Sequence, residues 1–130
     1  MKNETLIWYH YALENLESAR VLLENQLFNP CLHNIQQTIE KALKAVIIEK
    51  SIKFKITHDI LELKELLAQH KIEIDLSDKE YDFLESIFQH TQYPSENAAP
   101  DSHPDEQVCN KTLSIAKKVI ASVENILQID

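Results

Sequence analysis

Glycine is missing altogether from a chain of 130 residues. A Walker loop, a dinucleotide fingerprint and a nucleophile elbow each need glycine where backbone crowds a phosphate or turns with positive φ. Phosphate-loop NTPases, Rossmann dehydrogenases and α/β-hydrolases are therefore excluded together. Tight hairpins give way to helices joined by short loops containing Asn, Pro and Ser. Cysteine is scarce too: Cys31 and Cys109 stand far apart, neither in CxxC spacing, and are expected to be reduced and packed rather than bridged. The six histidines lack metal-ligand spacing, and "DSHPDE" around His103 falls in a loop and at a helix start, where acids cap. No metal is expected. No apolar run nears the ~20 residues that span a bilayer, and the opening "MKNETLIWYH" lacks the features of a secretory signal. A cytoplasmic protein without membrane contact is expected. Arginine occurs once, as Arg20.

What is present is helical periodicity. With 44% apolar residues the chain can fill one core, so residues 1–130 are read as a single domain. A first helix is expected from about Glu4 to Glu24, with Tyr9, Ala12, Leu13, Leu16, Ala19 and Leu23 on one side. Pro30 suits the first turn of a second helix, which continues to "SIKFKITHD". "ILELKELLAQH" makes a third. "SDKE", Ser77 to Glu80, has capping-box spacing and opens a fourth through Tyr81, Leu84, Ile87 and Phe88. A last helix starts near Pro104, its dipole complemented by Asp105 and Glu106, and buries Val108, Ile115, Val119, Ile120, Val123 and Leu127. Only "IKFKI" alternates in the manner of a strand. Five stripes on mostly short connections predict an all-α, up-and-down bundle of about five helices. Trp8 and the other aromatics of the first helix are read as core or dimer-interface anchors.

The second helix carries the stretch "QQTIEKALKA", Gln36 to Ala45. At about 100° per residue, Ile35, Ile39, Ala42, Leu43 and Val46 share one face, while His33, Gln37, Glu40 and Lys44 form a narrow stripe opposite. Two uses of the stripe are open: a solvated face with a Glu40–Lys44 pair, worth about 0.3–0.5 kcal/mol, or one wall of a binding site.

Trp8 followed by "ALENLESARVLL", then "QQTIEKALKA", then "THDILEL", then "QYP" at the end of the fourth helix recur in an order and spacing that resembles the HEPN family of small helical domains. The resemblance covers nearly the whole chain. It implies a helical bundle in which the polar side of "QQTIEKALKA" faces a cleft bordered by the histidine of "HD" and the "YP" corner. Gln37, Glu40, Lys41, Lys44, His58, Asp59 and Tyr93 are the ligand-binding residues so implied. It further implies a homodimer, a separately encoded minimal nucleotidyltransferase as partner, and a place in a toxin-antitoxin-like system. Ribonuclease members of the family use an arginine closely followed by a histidine, the first to orient phosphate and the second to move a proton. No histidine so follows Arg20, and Gln92 stands where relatives usually have arginine before Tyr-Pro. Lysine would not replace the planar guanidinium fork, so no catalytic residue is assigned.

Net charge is −8, which disfavours duplex nucleic acid. Yet Lys41, Lys44, Lys50, Lys53 and Lys55 stand against Glu49 alone between residues 41 and 58, a local charge of +4. Such a cluster suits a small anion better than a long polyanion. The expected function is thus a non-catalytic module binding a nucleotide or a partner, with no required cofactor; an atypical ribonuclease and a purely structural homodimer are the alternatives. A bound nucleotide would put polar base or ribose groups on Gln37 and Glu40, phosphate on the lysines and an aromatic face on Tyr93. Nucleotidylation of Tyr93, three residues after His90, is a further reading.

Overall fold

The computed structural model describes residues 1–92 and 104–129, with no side-chain description at 92. The expected Tyr93 site and the connection after it lie outside the described residues. Five helices follow in order: α1 (Asn3–Glu24), α2 (Phe28–Glu49), α3 (Ile60–Gln69), α4 (Asp78–Gln92) and α5 (Glu106–Leu127). All regular secondary structure among the described residues is helical, as the periodicity predicts. No helix among them is long and apolar enough to cross a membrane.

Local chemistry explains the helix starts. Ser77 Oγ accepts from the Glu80 amide at 3.1 Å, and a Glu80 carboxylate oxygen accepts from the Ser77 amide at 3.0 Å, which completes the capping box of α4. Asp105 accepts from the Val108 amide at 2.8 Å at the head of α5. Pro30 is the third residue of α2, inside the turn whose amides lack intrahelical partners in any case.

Helix ends are solved without glycine. Gln26, Ser51, Lys71 and Gln128 all take left-handed φ between 55° and 61°. Beyond each, a Leu or Ile amide turns back into the helix: Leu27 to Leu22, Ile52 to Ile47, Ile72 to Leu67 and Ile129 to Glu124. This is the Schellman arrangement, with an apolar residue immediately after the turn. A left-handed conformation costs a residue with a Cβ about 1–2 kcal/mol, so the returning hydrogen bonds and the apolar contact must outweigh it four times.

α2 sits at the centre. It packs extensively on α1 and α5, and over shorter stretches on α3 and α4. Residues 38–40 and 42–47 are buried without a break, so the helix is enclosed around its whole circumference. This corrects the two-sided reading of α2. Ile35, Ile39, Ala42, Leu43 and Val46 do pack, but Glu40 and Lys44, expected on an open polar face, are only 1% and 6% exposed. A helix with neighbours on every side buries whatever polar residues it carries, and these must find partners inside.

The outer helices each bury one stripe. α5 contributes Ile115, Val119, Ile120, Val123 and Leu127 as expected, with Val108 only partly covered. Tyr9 of α1 donates its hydroxyl to Glu124 of α5, tying those two helices together. Cys31 and Cys109 are fully buried and free, but they are neighbours. Their thiols lie close enough to influence each other, and Cys109 Sγ donates to the Phe28 carbonyl in the first turn of α2 at 3.6 Å.

Candidate functional site

The polar residues of α2 divide between its two sides. Lys41 reaches α1, where its Nζ donates to Asn15 Oδ1 at 2.8 Å and lies 5.8 Å from the centre of the Tyr11 ring. Lys44 also turns to α1, with Nζ 5.4 Å from the Trp8 ring centre, a cation–π distance. Gln37 is half-buried. The lysines expected to hold phosphate are therefore engaged by aromatic rings.

Glu40 points the other way in chemical terms. Its Oε2 lies 3.2 Å from Nδ1 of His58, whose own side chain is 75% exposed, while Oε1 is buried with no hydrogen-bond partner among the described residues. Burial pushes the Glu40 carboxyl above the usual carboxylate range; the hydrogen bond and charge of His58, then Lys44 and Gln36, pull against that shift. The result is a buried acid covered by one solvent-facing imidazole.

His58 stands at the mouth of a cavity of about 170 Å³ between α2, α3 and α4. Gln36, Asp59, Glu85 and Gln89 give it a polar rim, and Ile60, Leu84 and Phe88 an apolar lining beside Tyr81. Asp59 also caps α3, its Oδ1 accepting from the Leu61 amide at 2.9 Å. The field inside is negative. Burial first, then the charges of Asp59, Glu85 and Asp82, push the Tyr81 hydroxyl up to about 12, so it stays a neutral donor at pH 7. Among the described residues no cluster of His, Cys, Asp or Glu could hold a metal.

Of the residues expected from sequence, the fold thus brings together Glu40, His58 and Asp59, and turns Lys41 and Lys44 toward α1. Gln36, Tyr81, Glu85 and Phe88 were missed. Gln36 lies one turn before Glu40, and that i,i+4 spacing is the signal the sequence offers; Tyr81 and Phe88 read there as packing residues of the fourth helix. Arg20 is ion-paired to Glu17 and Glu24 within α1 and touches none of these groups.

The family model of the HEPN domain matches residues 5–126. Three solved structures share the fold, each with a TM-score of 0.66. An archaeal HEPN homologue is 23% identical, with both chains covered in full. A protein from Thermus thermophilus is 25% identical over 96% of this chain and 99% of its own. A HEPN domain protein from Thermotoga maritima is 18% identical over 95% and 98%. Comparison with curated proteins gives no match. The family match over almost the entire length, joined to an all-helical bundle with those relatives, makes this chain a member of the HEPN family.

Proposed function

We propose that this chain is a non-catalytic HEPN binding module that takes a nucleotide, base or ribose first, into the cavity between α2, α3 and α4. The supporting observation is the buried Glu40 carboxylate with one unmatched oxygen behind an exposed His58. A buried acceptor without a donor is costly, and a ligand N–H or O–H that reaches it removes that cost. His58 is exposed enough to swing aside, and Tyr81 and Phe88 provide aromatic surface. Asp59 and Glu85 repel phosphate, so the phosphate end stays outside.

Calorimetry with AMP, ATP, GMP and GTP tests this. Dissociation constants in the micromolar range or weaker are expected, about −8 kcal/mol or less favourable. Mono- and triphosphates of one base should bind alike, and Glu40→Gln should weaken binding about tenfold. A triphosphate preference of about a hundredfold would move the grip to the lysines. If nothing binds below millimolar concentration, the structural homodimer becomes the better reading.

A second copy or a separately encoded nucleotidyltransferase is proposed as the partner on α1. Ile7, Tyr11 and Val21 are exposed there along one strip of the helix. Ile7→Lys with Tyr11→Lys should convert a dimer to a monomer in sedimentation; a parent chain that is already monomeric leaves the strip to the other partner.

A further inference from the structure

Between α2 and α3 the chain runs from Ile52 to Asp59 without helix, turn or bend, which is extended backbone. Its residues alternate. Ile52, Phe54 and Ile56 share one face by the period of two, and their exposure climbs along the run: 8%, 36% and 88%. The face that seals the bundle at Ile52 is bare by Ile56. Among the described residues, no backbone N–H or C=O from Lys53 to Thr57 has a hydrogen-bond partner. An extended, β-branched and aromatic run with an open hydrogen-bonding edge is a template for another strand.

We infer that Lys53–Thr57 is a docking edge to which an acidic, extended segment of a different protein adds as a β-strand. The edge borders a cavity of about 400 Å³ shared with α3, where Phe54, Leu63 and Leu66 supply apolar surface. Lys53 and Lys55 alternate with the apolar residues and have no ion-pair partner among the described residues. A partner strand with acids at every second position therefore meets both lysines while its apolar residues cover Phe54 and Ile56.

Charge selects against a second copy here. Two antiparallel registers give both Phe54 and Ile56 an apolar partner, those centred on residue 54 and on residue 55. The first sets Lys53 opposite Lys55 and the second sets Lys55 opposite itself, and like charges directly opposed are destabilising. An acidic strand meets no like charge on the edge itself; Glu62 and Glu65 of α3 line the same cavity and confine its acids to the positions facing Lys53 and Lys55. This surface involves none of the groups assigned to the nucleotide, so the two proposals fail independently.

The test uses the full chain and a fluorescein-labelled, end-capped octapeptide alternating glutamate with valine, followed by anisotropy. Saturable binding at about 100 µM, weakened about tenfold when lysine replaces glutamate in the peptide, is expected. Methylating alternate peptide amides should abolish binding, because the strand then loses its ladder donors. The double variant Lys53→Glu with Lys55→Glu should exchange the preference, taking the lysine peptide over the glutamate one. That reversal shows the variant is folded as well as recoded. The inference is overturned if the glutamate peptide does not bind by about 1 mM, or if the methylated peptide binds equally well. It is also overturned if the same charge-reversal variant instead loses self-association, or loses sedimentation with phosphatidylserine-containing vesicles that the parent shows while ignoring the peptide.

Discussion

The two sides of α2 differ in kind. Toward α1 and α5 the helix packs along its length, its lysines sit against Trp8 and Tyr11, and Tyr9 links α1 to Glu124 across the interface. Toward α3 and α4 the contacts are shorter, a cavity remains, and a buried carboxylate is left half-satisfied beneath an exposed histidine. The same helix thus serves as a scaffold on one side and borders a cavity on the other. Binding surfaces that must admit a ligand are drawn from the less stable parts of a fold, and the distribution of packing here locates that part without reference to any ligand.

The largest expected effect breaks the scaffold side. Leu43 is fully buried in α2, and Leu43→Ala should lower unfolding stability by about 2–5 kcal/mol in urea titrations. A loss under about 1 kcal/mol would mean that α2 is not the packed centre described. Next in size is the gap between the two sides. In native-state hydrogen exchange, α2 and α5 amides should open only with the whole molecule, while α3 and α4 open at least about 2 kcal/mol more easily. Equal protection in all five helices would erase the distinction.

The smallest effect concerns Glu40. Its carboxyl titrates above its ordinary value of 4.5 in the folded chain because burial disfavours the anion. The folded chain then holds this proton more tightly than the unfolded chain. The group's stabilising contribution is full below its unfolded value and is lost as pH rises through the higher folded value. Glutamine copies the protonated acid at every pH. Glu40→Gln should therefore match the parent near pH 4 and exceed it by about 1 kcal/mol at pH 7. A variant less stable than the parent at pH 7 would show that His58 and Lys44 more than compensate the buried charge.

Much of this architecture was legible beforehand. Apolar period fixed the five helices to within a few residues, and Ser77 with Glu80 marked a start that the structure reproduces atom by atom. Period, however, reports an angle and not how many neighbours a helix has, so Glu40 and Lys44 read as an outer face although α2 is enclosed. Cys31 and Cys109 were judged by separation along the chain, which carries no information on their approach at the heads of α2 and α5. Gln36, which lines the cavity, and Gln37, which does not, stand one residue apart. That is a 100° turn, enough to move a side chain from one wall of the helix to another.

Ile52 has a mechanical consequence. Its amide is latched to the Ile47 carbonyl at 3.0 Å, its side chain is tucked into the bundle, and the exposed run begins at the next residue. A strand pulling on Phe54 or Ile56 therefore loads the last turn of α2 directly, with no slack segment between. The lever is short: Ile52 is the fulcrum, and the load passes into the same rigid rod that carries Glu40 and Gln36 two to three turns away.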